Sequence, residues 1–184
     1  MITRDEAFAL LQEKVQEPQQ ISHAIEAEAV MRGLAAKLGR DVELWGITGL
    51  LHDLDYATTK DDMTRHGLDS AEVLQGKLPQ EAVEAIKRHN EMNGNQPKAE
   101  LDFALRCGET VTGLIHTNAL VRPTRMEGMN PKSLKKKMKD KAFAAAVNRD
   151  TIRECEKIGL DLGEFFQLSI DAITSVADQV GLAS

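Results

Sequence analysis

Apolar residues recur at helical spacing along almost the whole chain, and no stretch shows the clean alternation or Val/Ile/Thr enrichment of a strand. The pattern predicts an all-α protein. Thr3 and Glu6 form a capping box for a first helix running to about Gln16, which the Pro18 region ends. A second helix covers His23 to Leu38, with Gly39 in the favoured C-terminal position. Asp41 then caps a third helix through Leu44, Trp45, Ile47, Leu50 and Leu51 to His52. This helix is apolar nearly all round, which places it at the centre of the bundle. A polar loop spans Thr58 to Thr64, and short helices cover Leu68 to Gln75 and Gln80 to His89. Asn93-Gly94-Asn95 reads as a turn, and a long helix runs from about Ala99 to Leu120, stopping before Pro123. Beyond Pro131, Ser133 caps a basic helix, and the last periodic helix is Leu162 to Val180. No internal repeat, low-complexity tract or long linker divides the chain, so residues 1–184 are expected to form a single domain.

Ionisable residues interrupt this pattern where buried apolar side chains belong. His23 continues the face of Ala27, Val30, Leu34 and Leu38, His89 completes Ala82 and Ile86, and Glu109 extends the stripe of Leu101 and Leu105. An unpaired buried carboxylate costs several kcal/mol, so these groups need partners. A single histidine on an apolar face is usually hydrogen-bonded in the core, whereas several converging with carboxylates are best satisfied by a metal.

Composition narrows the setting. With 184 residues and 42% apolar content, one domain can bury roughly 70% of its unfolded surface. Cys107 and Cys155 lie far apart with no CxxC spacing and read as reduced thiols. Thr3-Arg4-Asp5-Glu6 precedes no apolar signal core, and no run of about 18 apolar residues exists to span a membrane, so a cytoplasmic protein is expected. The formal charge of −6 is divided, because residues 122–149 hold nine Lys/Arg against two Asp/Glu. Such a segment attracts phosphorylated ligands locally, although charge runs are also common on solvated helix faces. The acidic remainder and the scarcity of aromatics argue against nucleic acid.

His52 and Asp53 end the central helix, with Asp55 close behind, in Gly49-Leu50-Leu51-His52-Asp53-Leu54-Asp55-Tyr56. Taken alone, His52 could complement the helix dipole and either aspartate could cap the next turn. The ordered series His23, His52-Asp53, His66, His89 and Glu109 nevertheless resembles the HD superfamily of metal-dependent phosphohydrolases. Arg-His-Gly-Leu at 65–68, Ile-Lys-Arg-His-Asn at 86–90, Thr-Gly-Leu-Ile at 112–115 and Val-Arg-Pro at 121–123 look like small bacterial HDIG-type members. The segment from Ser133 to Arg149 shares that likeness.

The resemblance implies a helical HD-domain bundle with its metal-site core at about 20–120 and final helices packed on the basic segment. It implies that His23, His52, Asp53 and Glu109 hold one metal, and that His66 and His89, with Asp53 bridging, hold a second. Glu109 departs from the family's usual Asp by one methylene. Imidazole and carboxylate ligands suit Fe, Mn, Zn, Co or Ni. The implied chemistry is hydrolysis of a small phosphorylated substrate, such as a nucleotide, with Asp53 and His89 at the reacting centre. Arg122, Arg125, Lys135, Lys136 and Arg149 are the candidate phosphate clamps. The same ligand series also serves di-iron oxygenases of this fold, and a non-catalytic module sensing a phosphorylated ligand is a third reading.

Overall fold

The structure, a computed structural model, describes residues Met1–Ser184. It is helical throughout: α1 Arg4–Lys14, α2 Pro18–Leu38, α3 Val42–Leu51, α4 Tyr56–Thr59, α5 Leu68–Leu74, α6 Gln80–Arg88, α7 Glu100–Leu120, α8 Pro131–Lys139, α9 Arg149–Arg153 and α10 Leu162–Ser175. Short 3-10 turns cover Glu91–Asn93 and Glu154–Ile158.

Helix starts follow the side-chain chemistry. The Thr3–Glu6 capping box opens α1, and the Asp41 carboxylate accepts the Leu44 N–H at 3.0 Å to open α3. Two starts differ from expectation. Pro18 begins α2 instead of ending the helix before it, because the first helical position needs no N–H. Pro131 likewise begins α8, capped by Asn130, whose Oδ1 accepts from Ser133 N at 3.1 Å. The loop expected from Thr58 to Thr64 is entered through α4, where the Thr58 and Thr59 hydroxyls donate back to the Asp55 carbonyl at 3.0 and 2.8 Å. The last helix ends at Ser175, short of Val180.

Helix α3 is buried from Leu44 to Leu51 and is packed by α1, α2, α6 and α7. Helix α2 also packs against α7 and α10. One hydrophobic core of 45 buried residues joins these layers. Glycine sets the α2–α3 spacing: a Cβ on Gly49 would lie 2.8 Å from the Ala27 carbonyl oxygen and 2.9 Å from Met31 Cγ. That close approach brings the end of α3, with His52 and Asp53, beside His23 on α2. No helix is long and apolar enough to cross a membrane.

Candidate metal centre

Five parts of the chain converge at the C-terminal end of α3. Helix α2 brings His23, the α3 terminus brings His52 and Asp53, the turn before α5 brings His66, the end of α6 brings His89, and α7 brings Glu109. Each imidazole is anchored through Nδ1. His52 donates to the Gly49 carbonyl at 2.8 Å and His89 to the Ile86 carbonyl at 2.6 Å. A carbonyl only accepts, so both rings carry their proton on Nδ1 and a lone pair on Nε2. The Thr112 hydroxyl spends its hydrogen on the Glu109 carbonyl at 2.7 Å and so accepts from His23 Nδ1 at 2.9 Å. His66 Nδ1 donates to Asp55 Oδ1 at 2.9 Å.

The Nε2 atoms therefore point inward. His23 and His52 meet at 3.2 Å, and His66 and His89 at 3.0 Å. Between these two pairs lies Asp53 Oδ1, 3.3 Å from His52 Nε2, 3.2 Å from His66 Nε2 and 3.3 Å from His89 Nε2. It is buried and makes no hydrogen bond of normal geometry within the protein. Asp53 Oδ2 lies 3.6 Å and Glu109 Oε2 lies 3.9 Å from His23 Nε2. Imidazole lone pairs this close repel one another unless a cation sits among them, and a carboxylate oxygen at their centre supplies the matching anion. The donors fit a transition metal. His23, His52 and Glu109 can form one such group, and His52, Asp53 and His89 another.

Electrostatics carry the same demand for positive charge. Burial holds the His52 imidazole neutral, down to about 3. Burial also disfavours charge on His66, yet the Asp53 and Asp55 carboxylates beside it outweigh that cost and push it up to about 10. Against its own desolvation, Asp53 is held well below the usual carboxylate range by His52, His66, His89 and His23. Burial raises Glu109, whose Oε1 accepts from the Thr110 hydroxyl.

The centre floors an open groove of about 790 Å³. None of Arg122, Arg125, Lys135, Lys136 or Arg149 lines it. Arg122 is bonded to Thr124 and the Glu127 carbonyl, and Arg125 reaches the Leu120 carbonyl at 3.4 Å. Arg149 instead ties down its own loop through the Ala144 and Val147 carbonyls at 2.5 and 2.6 Å, and through Phe143. Lys135 and Lys136 are exposed on α8, whose apolar side buries Leu134 and Met138. The basic segment is thus a solvated face and loop scaffold, and the structure does not bring its cations to the groove.

Sequence reasoning missed the groups that orient the ligands. Asp55 accepts from His66 and from the backbone N–H groups of Gly67 and Ser70 at 2.8 and 3.0 Å. The spacing of Asp55 two residues after Asp53 was its only signal. Thr112 lies 89 positions from His23, beyond any local pattern. His116, two turns beyond Glu109 on α7, pairs with the buried Glu26 carboxylate at 2.6 Å.

A helical bundle with four inward histidines around one aspartate defines a candidate metalloprotein. The HD-domain family model matches residues 21–142, more than half of the chain, and the chain belongs to the HD domain family. No curated protein and no solved structure matches. Divalent-metal binding is the general property of that family, and the matched span holds all six residues of the centre.

Proposed function

We propose that this protein is a metal-dependent phosphohydrolase acting on small phosphorylated substrates. The observation that carries the reading is the buried Asp53 Oδ1 among the Nε2 atoms of His52, His66 and His89, with His23 beside His52. His23, His52, Asp53 and Glu109 would hold one divalent transition metal, and His66 and His89, sharing Asp53, a second. When bound, such metals supply an acidified water and neutralise phosphate oxygens.

The protein's own contribution is positional. Backbone carbonyls fix the His52 and His89 tautomers, so neither ring reorganises on loading. Asp53, pinned between two imidazole pairs, sets their separation and aligns a substrate phosphoryl group over the centre. The open side of the groove admits the ester, while α2, α3, α6 and α7 exclude water from behind. The likeness of residues 49–56, 65–68 and 86–90 to HDIG-type proteins supports hydrolysis over other chemistry.

Elemental analysis of the purified protein, followed by a metal-supplemented phosphatase and phosphodiesterase panel, tests this. Stoichiometric metal with hydrolysis lost in His52→Ala and Asp53→Ala is the expected result. Iron-bound protein that consumes oxygen and cleaves no phosphoester would replace the reading with an oxygenase, and protein that takes up no metal would overturn it.

A further inference from the structure

Arg106 is the one Lys or Arg side chain that lines the groove around the metal centre, and it is largely committed. Arg106 lines the groove but is only 4% exposed. Its Nε and Nη2 grip Glu154 at 2.7 and 3.2 Å, Nη2 also meets Glu91 at 3.3 Å, and Nη1 donates to the His89 carbonyl at 3.0 Å. Four of its five N–H groups are thereby spent. The carboxylates of Asp53, Glu91 and Glu109 border the same space.

The walls above the centre carry a different chemistry. Gln19 and Gln20 stand on the first turn of α2, Tyr56 opens α4, and Asn148 and Thr151 face the groove from the start of α9. Asn148 Oδ1 accepts from the Asp150 and Thr151 N–H groups at 3.0 and 3.3 Å, which leaves its Nδ2 hydrogens without a protein partner. The side chains of Gln19, Gln20 and Thr151 and the Tyr56 hydroxyl make no hydrogen bond within the protein. Five uncharged side chains with free donors and acceptors therefore surround a centre whose one lining guanidinium has a single N–H to spare. Asn148 and Thr151 lie beyond residue 142, outside the matched family segment.

We infer that the substrate carries a single phosphoryl group on an uncharged leaving group rich in hydroxyls or amides, read by Asn148, Thr151, Gln19, Gln20 and Tyr56. This rests on the hydrolase reading above. A phosphate at the centre finds its countercharge there, whereas a second phosphate in the groove meets carboxylates and neutral dipoles, and Arg106 offers it at most one N–H in return for its hydration. Hydroxyls lose nothing by the exchange, because each water they give up is replaced by a side-chain partner.

The test uses full-length, Mn-loaded protein with fructose 6-phosphate, fructose 1,6-bisphosphate and phenyl phosphate. The monophosphate should exceed the bisphosphate in kcat/KM by at least about tenfold, and calorimetric binding should show the same order. Asn148→Ser, which retains an N-cap hydroxyl, and Thr151→Val should lower the ratio of kcat/KM for fructose 6-phosphate over phenyl phosphate by about three- to tenfold, chiefly through KM. Thr151→Lys should shift preference toward the bisphosphate. Equal or tighter binding of the bisphosphate, no binding of the monophosphate, or a ratio unmoved by both variants would overturn the inference. Metal and monophosphate binding without turnover of any ester would overturn hydrolysis instead, with the binding order still deciding the ligand class.

Discussion

His66 and His89 face each other Nε2 to Nε2 at 3.0 Å, although His89 is turned by its 2.6 Å bond to the Ile86 carbonyl so that only a lone pair can point inward. Their closeness is sustained by positive charge between them and Asp53. Metal should therefore stabilise the fold. Because a ligand at 100 times its dissociation constant contributes about 2.7 kcal/mol, the melting temperature of the wild type should rise on addition of Mn or Ni. Asp53→Ala removes the shared carboxylate and should show no rise. A metal-induced shift of equal size in that variant would remove Asp53 from the ligand set.

Gly67 connects backbone strain to the same centre. Its φ is +85°, and a Cβ there would stand 2.9 Å from the Ile86 carbonyl oxygen and 3.1 Å from the His89 ring. Gly67→Ala should cost about 1–2 kcal/mol for the left-handed backbone alone. The added methyl also presses on the carbonyl that orients His89, so metal content at fixed metal supply should fall with stability. Urea denaturation and elemental analysis of one preparation read both effects, and destabilisation with full metal content would separate them.

Periodicity located the central helix because α3 buries Leu44 to Leu51 on every side, and such a segment is recognisable without tertiary information. The candidate ligands were visible for the complementary reason, as ionisable groups on apolar faces. Pro18 was misplaced because proline disfavours a helix interior yet suits its first position, and sequence alone does not say which side of the residue the helix lies on. Helix α9 and its 3-10 extension were missed because Arg149–Ile158 is short and is held by the tertiary Arg106–Glu154 pair rather than by its own period. Charge counting drew attention to Arg149 as a phosphate clamp, but net charge carries no direction, and this guanidinium turns to its own loop carbonyls.

Arg106 is also a structural joint. It links the His89 carbonyl on one side to Glu154 on the other, with side-chain exposures of 5% for Arg106 and 13% for Glu154. Arg106→Met should cost about 3 kcal/mol, since it leaves the mostly buried Glu154 charge with only the exposed Lys157 ammonium at 3.8 Å. Adding Glu154→Leu should recover part of that loss but not all, because the His89 carbonyl still lacks its donor. Denaturant midpoints of the two single variants and the double variant complete the cycle. Strict additivity would mean that the two side chains act independently.

A second buried pair makes stability depend on pH. His116 Nδ1 lies 2.6 Å from Glu26 Oε1, and the Glu26 residue is 1% exposed. The hydrogen bond to Glu26 raises the His116 imidazole above its ordinary value, against opposition from burial and from the Arg125 charge. Because the folded value lies above the unfolded one, the stabilisation is fully present below the ordinary histidine value of about 6.5 and fades as pH climbs through the raised folded value. The wild type should thus lose more stability than His116→Asn between about pH 6 and about pH 9, since asparagine can still donate to Glu26 but does not titrate. Subtracting the two profiles removes the contribution of the metal-centre histidines, which both proteins share. Parallel profiles would show that the Glu26–His116 contact carries no proton-linked stability, and a wild type that gains on His116→Asn as pH rises would reverse the sign of the argument.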